Sequence, residues 1–225
     1  INNDIENNNT YNELMNLCIK SNKMNVRANA DQKKDAMIAK KLGARGIGLC
    51  RTEHMFFNPQ RIKHIRKMIL SNSEKEQKKN INHLLPYQKN DFYSLLKVMA
   101  PFPVTIRLLD PPLHEFLPQN QIQIKELSEE MGITKKKLND KISSLKELNP
   151  MLGHRGCRLG ITFPEITIMQ TKAIFLASIK LAKEKINVIP EIMIPLISSK
   201  EEFIDQKKII IETANEIFIK SNIKI

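Results

Sequence analysis

Tryptophan is absent from this sequence of 225 residues, and cysteine is scarce, with three residues and no CxxC pair. The scarcity of cysteine argues against a disulfide scaffold and a cysteine-ligated zinc site, and it indicates a reducing compartment. No apolar run approaches the roughly 20 residues that a membrane span needs. The first nine residues are polar and carry two acids, which excludes a secretory signal and an arginine-rich transit peptide. The remaining composition, with 41% hydrophobic residues, is that of a globular protein rather than a disordered chain.

Basic residues outnumber acidic residues by 36 to 24, which gives a formal net charge of +12 and a pI of about 9.6. Such a charge is typical of nucleic-acid-binding proteins. The lysines are, however, spread along the whole chain among asparagine and isoleucine residues, and the aromatic residues that would stack on bases make up only 5%. We therefore expect solvated helix surfaces, and neither a nucleic acid nor a membrane as a partner.

Short apolar runs alternate along the chain with segments of helical spacing. Four runs that are apolar or rich in β-branched residues predict strands, at 25–30, 46–51, 104–109 and 191–197. The alternation is typical of βαβ units, so the sequence predicts an α/β fold with a parallel sheet of about five strands. Residues 1–22 are predicted to be a linker and a short helix, and no GxGxxG follows the first strand to indicate dinucleotide binding.

Capping residues predict where several helices begin. Two residues that precede helical patterns are expected to be N-caps, Asp31 and Asp91, and another helix is predicted from Thr134 onward. Pro164 fits the first turn of a helix, and Ser199 followed by Glu202 is the pattern of a capping box.

Charged residues lie at the ends of apolar runs in three segments: CRTEHMFF at 50–57, TIRLLDPPLHEFLP at 105–118 and NPMLGHRGCRLG at 149–160. An arginine in such a place is costly to bury without an anionic partner. In a parallel barrel, catalytic groups gather at the C-terminal ends of strands, and the planar guanidinium suits phosphate and carboxylate. Arg51, Arg107 and Arg155 therefore predict an anion site; for any one of them, an ion pair that only ties loops together is the alternative.

These three segments resemble the pyruvate, phosphate dikinase family, in the region that binds phosphoenolpyruvate and pyruvate. The resemblance begins near Tyr11, includes VRANAD at 26–31 and continues to the C-terminus. It implies an incomplete (β/α)₈ TIM-type barrel, with residues 23–225 as the N-terminal part of the domain and about five of the eight strands. It also implies the family's reaction, in which ATP, phosphate and pyruvate become AMP, pyrophosphate and phosphoenolpyruvate.

The resemblance assigns roles to individual residues. Arg51 and Arg107 match the family's two substrate-binding arginines, and Arg155 matches a third arginine near the phosphate. Three neighbouring residues fall in the same motifs and are expected to orient the arginines or to contact the substrate: Glu53, Asp110 and His114. These roles agree with the chemistry, because phosphoenolpyruvate carries a phosphate and a carboxylate, and fixed cations stabilise the enolate charge that develops as the phosphoryl group leaves.

The resemblance places the remaining machinery outside this chain. The ligands of Mg²⁺ and the cysteine that protonates the enolate are expected downstream, and the swinging phosphohistidine domain and the ATP-binding domain upstream. No catalytic residue and no metal ligand is therefore expected here, and the chain alone is expected to be inactive. Cys50 and Cys157 are predicted to be core residues, and His54, His114 and His154 are not expected to accept a phosphoryl group.

Two hypotheses follow. The first is that the chain is part of a dikinase that acts as a homodimer in the cytoplasm, with an organelle as the alternative location. The absence of an initiator methionine favours a piece cut from a longer polypeptide. The second hypothesis is a non-catalytic half-barrel that serves as an anion-binding or interaction module.

Overall fold

The computed structural model describes residues 8–71, 73–118, 120–146, 149 and 153–223. This part of the chain forms four strands: β1 (Ala28–Asn29), β2 (Ile47–Arg51), β3 (Pro103–Arg107) and β4 (Ile189–Met193). It also forms ten α-helices: α1 (Asn9–Ser21), α2 (Lys33–Lys41), α3 (Pro59–Leu70), α4 (Glu74–Asn82), α5 (Leu85–Met99), α6 (Gln121–Met131), α7 (Lys135–Ser144), α8 (Cys157–Thr162), α9 (Pro164–Lys183) and α10 (Lys200–Ser221). Two short 3₁₀-helices follow strands, at Thr52–Met55 and Leu113–Phe116.

The strands form one parallel sheet in the order β1-β2-β3-β4. Each strand lies beside the next strand along the chain, and a helical segment connects each parallel pair. Strands β1 and β4 are the two edges, so the sheet made by the described residues is open. The α/β prediction is confirmed, and the architecture is that of part of a TIM barrel.

The described part of the chain contains four strands, one fewer than the predicted number of about five. The long segment between β3 and β4 is helical or irregular wherever the structure describes it. Its apolar residues explain this outcome, because Ile124 and Leu127 are three positions apart and are buried on the same side of α6. That spacing is typical of a helix rather than of the alternation in a strand.

One face of the sheet packs against α2, α5 and α9. Strand β3 contributes alternate residues, Val104 and Ile106, to this core, and α5 contributes a stripe at the predicted spacing of i, i+3, i+4 and i+7: Phe92, Leu95, Leu96 and Met99. Each of these four side chains is at most 1% exposed. Burial of one such side chain stabilises the fold by about 1.5–3 kcal/mol. The helices on this side therefore hold the strands, and with them the strand ends, in fixed positions.

The opposite face of the sheet is polar. Glu191 on β4 accepts a hydrogen bond from the Thr105 hydroxyl on β3 at 2.6 Å and forms an ion pair with Arg27, which precedes β1. The hydrogen bond from Arg27 lowers the pKa of Glu191, and that from Thr105 adds to the effect. This network crosses the sheet from β1 to β4, and Arg107 lies two residues further along β3 on the same face.

The predicted caps have mixed outcomes. Ser199 with Glu202 forms the predicted capping box of α10. The helix predicted from Thr134 onward is α7, and Thr134 is its N-cap. Asp31 and Asp91 are not caps: α2 begins after Gln32 without a side-chain cap, and Asp91 lies inside α5, where it pairs with Arg61 on α3. Both carboxylates have cationic or main-chain partners from other elements, and these outcompete the local cap.

Helix α1 lies within the segment predicted to be a linker and a short helix, and the domain boundary after residue 22 stays a prediction. No helix in the described ranges is long and apolar enough to cross a membrane.

Candidate functional site

Arg51 and Arg107 lie side by side at the C-terminal edge of the sheet. They are the last residues of β2 and β3, and their Cα atoms are partners in the parallel register. Residues paired in this way project to the same face of a sheet. The guanidinium groups are partly accessible, with side-chain exposures of 36% for Arg51 and 20% for Arg107. The two arginines therefore lie at one edge of the sheet, and their role in binding an anion stays a prediction.

Arg107 is held by two carboxylates from the turns that follow β2 and β3. Its Nη2 donates to Glu53, which lies in the 3₁₀-helix after β2, and its Nη1 is 2.8 Å from Asp110 Oδ2. The two acidic side chains are only 9% and 7% exposed. Arg107 thus has the anionic partners that its partial burial requires.

Arg155 joins the same cluster through Asp110. Its Nη2 is 3.0 Å from Asp110 Oδ2, and the main-chain carbonyl of Asp110 accepts hydrogen bonds from Arg155 Nε at 3.3 Å and from the Gly156 N–H at 3.0 Å. Gly156 has φ of +60°, and a Cβ there would lie 2.9 Å from the Cβ of Leu196. Glycine therefore lets this loop approach the end of β4, which places Arg155 beside Asp110.

A second cluster surrounds Arg51. Asp31, directly after β1, accepts a hydrogen bond from the main-chain N–H of Arg51 at 2.6 Å and contacts His54 Nδ1 at 2.6 Å. The Arg51 guanidinium is 3.6 Å from Asp31 Oδ2. Sequence reasoning missed Asp31 as a site residue and assigned it to a helix cap. The signal was present, because Asp31 directly follows a predicted strand as Asp110 does.

Four polar atoms at the site are buried and have no hydrogen-bond partner among the described residues: Glu53 Oε2, Arg107 Nε, Asp110 Oδ1 and His114 Nδ1. Buried polar atoms usually have partners, so the site keeps unused hydrogen-bonding capacity in fixed orientations. His114 lies in the second 3₁₀-helix, and in the described chain no hydrogen bond or ion pair joins it to the three arginines. Its orienting role stays a prediction.

The cysteines of these motifs are core residues, as predicted. Cys50 is fully buried, and burial strongly raises the pKa of its thiol. Cys157 is 2% exposed, its Sγ donates to the Leu196 carbonyl at 3.1 Å, and burial raises its pKa as well. A thiol with a raised pKa is a poor proton donor. His54 and His154 have local partners, Asp31 and Thr162 respectively.

Within the described ranges, no group of three or more His, Cys, Asp or Glu residues is placed to hold a metal ion. The acids nearest Arg107, Glu53 and Asp110, form ion pairs with it. Magnesium sites use one or two carboxylates together with substrate phosphates and water. The expectation that Mg²⁺ ligands come from elsewhere in the protein stays a prediction.

The fold and the arginine-rich edge define a class of protein. Residues 6–224 match the family model described as the PEP-binding domain of PEP-utilising enzymes, where PEP is phosphoenolpyruvate. The chain belongs to this family.

Its relatives narrow the class further, because the chain is homologous to pyruvate, phosphate dikinases. It is 49% identical over 198 residues to the chloroplastic pyruvate, phosphate dikinase 1 of Arabidopsis thaliana, and the matched region covers 87% of this chain and 21% of the relative. It is 49% identical over 195 residues to the pyruvate, phosphate dikinase of Clostridium symbiosum, covering 86% and 22%. The match to the chloroplastic enzyme of Flaveria trinervia is 47% over 204 residues, covering 89% and 21%. The chain thus spans about a fifth of the length of the curated relatives it matches.

Proposed function

We propose that this chain forms the phosphoenolpyruvate- and pyruvate-binding part of a pyruvate, phosphate dikinase. In this proposal the whole enzyme transfers a phosphoryl group between a phosphohistidine and pyruvate, and overall converts ATP, phosphate and pyruvate to AMP, pyrophosphate and phosphoenolpyruvate. The observation that supports the proposal best is the row of arginines at the C-terminal edge of the sheet. Arg51, Arg107 and Arg155 each have an acidic partner there.

The geometry suits a substrate with two anionic groups. In the part of the chain that the structure describes, Arg51 makes one ion pair, at 3.6 Å, so most of its donors are left for a ligand. Arg107 and Arg155 share Asp110, which restrains both guanidinium groups. Donors fixed in advance stabilise charge in the transition state without further reorganisation. Phosphoryl transfer depends mainly on such positioning and neutralisation.

Other parts of the proposed enzyme complete the site. Mg²⁺, bound by ligands from elsewhere in the protein, would neutralise charge on the transferring phosphoryl group. A swinging phosphohistidine domain and an ATP-binding domain would deliver that group, in a homodimeric protein in the cytoplasm or in an organelle. The chain alone is expected to be inactive, since its two described buried cysteines are poor acids and its described residues form no metal cluster.

The test is Arg51→Ala in the complete protein that carries this sequence, with Arg45→Ala as the matched control. Arg45 is exposed and precedes β2, at the other end of the strand. Losing a charge-assisted contact to the phosphate should cost about 2–5 kcal/mol of transition-state stabilisation, or roughly 30- to 5,000-fold in kcat/KM for phosphoenolpyruvate. Phosphorylation of the protein by ATP should survive, because it takes place in other domains.

Normal turnover of phosphoenolpyruvate by Arg51→Ala would contradict the proposed site. A wild-type protein that binds phosphoenolpyruvate but has no phosphoryl-transfer activity would instead support the non-catalytic anion-binding module.

A further inference from the structure

Asp31 lies at the point where β1 ends, and both of its carboxylate oxygens have partners. Oδ1 accepts the main-chain N–H of Arg51 at 2.6 Å. Oδ2 accepts from His54 Nδ1 at 2.6 Å, because an ionised carboxylate can only accept. The Asp31 side chain is 13% exposed. Hydrogen bonds from N–H groups to a carboxylate are short and about twice as strong as neutral ones. Asp31 therefore ties the end of β1 to the last residue of β2.

The relation between Asp31 and Arg51 recurs along the sheet edge. Glu53, in the turn after β2, pairs with Arg107 at the end of β3. Asp110, in the turn after β3, pairs with Arg155. In each pair, an acid that follows one strand holds an arginine that lies next along the edge. Asp31 thus occupies the first place in this series.

Asp31 differs from the other two acids in the part of the arginine that it holds. Glu53 and Asp110 bind guanidinium groups directly. Asp31 binds the main chain of Arg51, and the guanidinium lies at the longer distance of 3.6 Å. The backbone of Arg51 is therefore fixed while its side-chain donors stay available to an anion.

We propose, on the basis of the function proposed above, that Asp31 is a positioning residue for Arg51. It acts through the main-chain hydrogen bond, which sets where the Arg51 side chain leaves the sheet edge. Misplacement of a binding group by about 1 Å lowers catalysis strongly even when the chemistry is intact. Asp31 itself does not contact the substrate in this proposal.

The test compares three variants of the complete protein by kcat/KM for phosphoenolpyruvate. Asp31→Ala removes both hydrogen bonds and should lower kcat/KM by about 10- to 100-fold, the effect of losing a hydrogen bond to a charged group. Asp31→Asn should restore most of the loss, because its amide oxygen still accepts the Arg51 N–H. Asp35→Ala is the matched control, since Asp35 is an exposed acid four residues further along, in the first turn of α2.

One further readout and two further variants, His54→Ala and Arg51→Ala, decide the interpretation. Phosphorylation by ATP should stay unchanged in all variants, because it takes place in other domains, and the recovery in Asp31→Asn separates a lost hydrogen bond from a loss of folding. Unchanged kcat/KM in Asp31→Ala, or an equal loss in Asp31→Asn, overturns the proposal. A loss in His54→Ala as large as that in Asp31→Ala also overturns it, because Asp31 would then act through His54. Arg51→Ala keeps the two proposals separate: if it is inactive while Asp31→Ala is normal, only the positioning role fails.

Discussion

Replacement of Arg107 by methionine should destabilise the sheet edge because it leaves the buried carboxylate of Glu53 without an ion-pair partner. Glu53 and Asp110 are 9% and 7% exposed, and Arg107 pairs with both. Asp110 keeps Arg155 at 3.0 Å, whereas Glu53 keeps no other ion pair among the described residues. Removing one partner of a buried pair costs about 3–5 kcal/mol. Because Arg107 is one-fifth exposed and only Glu53 is left without an ion-pair partner, we expect a loss of stability at the lower end of this range, about 3 kcal/mol.

The assay is native-state hydrogen exchange of the complete protein, followed in peptides that cover residues 47–55 and 103–110. A loss of about 3 kcal/mol corresponds to a fall in protection of roughly two orders of magnitude. The double variant Arg107→Met with Glu53→Gln should recover most of this protection, since residue 53 then carries no buried charge without a partner. Lys63→Met is the control, because it removes one partner of an exposed pair with Glu130 and should leave these peptides unchanged.

Two results would refute this reasoning. Unchanged protection in Arg107→Met would show that Glu53 is solvated or has another partner. A double variant with as little protection as the single variant would show that lost packing of the arginine side chain, and not the unpaired Glu53 carboxylate, causes the loss of stability.

Two further predictions concern other parts of the molecule. Burial lowers the pKa of His64, and the stacked His83, with ring centroids 4.9 Å apart, adds to this effect. In the unfolded chain the histidine pKa is about 6.5, so the unfolded chain takes up the proton more readily than the folded one. The helix pair α3–α4 should therefore lose hydrogen-exchange protection as pH falls below that value. His64→Phe should weaken this pH dependence, and an unaltered dependence would exclude the two stacked histidines as its cause. The isolated 225-residue chain should self-associate, because β4 is an open edge with Ile189 and Met193 44% and 38% exposed. Sedimentation should show concentration-dependent oligomers, and a strictly monomeric chain would contradict this prediction.

Much of the fold could be predicted because it depends on local chemistry. The apolar stripe of α5 and the run that forms β3 both follow from residue spacing, and the Ser199–Glu202 capping box follows from a hydroxyl and a carboxylate three positions apart. The arginines of β2 and β3 were partly predictable for the same reason, since Arg51 ends one predicted run and Arg107 lies near the end of another.

The errors arose where a distant partner outcompetes a local one. A side-chain N-cap stabilises a helix by about 1 kcal/mol. Asp91 instead meets the guanidinium of Arg61, thirty residues away in sequence, and Asp31 meets the backbone of Arg51 and the ring of His54. Each of these carboxylates makes two hydrogen bonds to its distant partners, whereas an N-cap side chain satisfies one main-chain N–H. The same carboxylate can therefore serve either role, and local sequence does not distinguish the two.

The order of the strands in the sheet is the information that would have predicted the role of Asp31. Once β1, β2 and β3 are known to be parallel neighbours in chain order, the turn after each strand lies beside the end of the next. An acid in that turn is then within reach of an arginine that ends the following strand, which is the relation of Glu53 to Arg107. The sequence already contains the pattern, and Asp31 fits it as well as Glu53 does. Pairing at such an edge follows from topology combined with residue type, and residue spacing alone does not predict it.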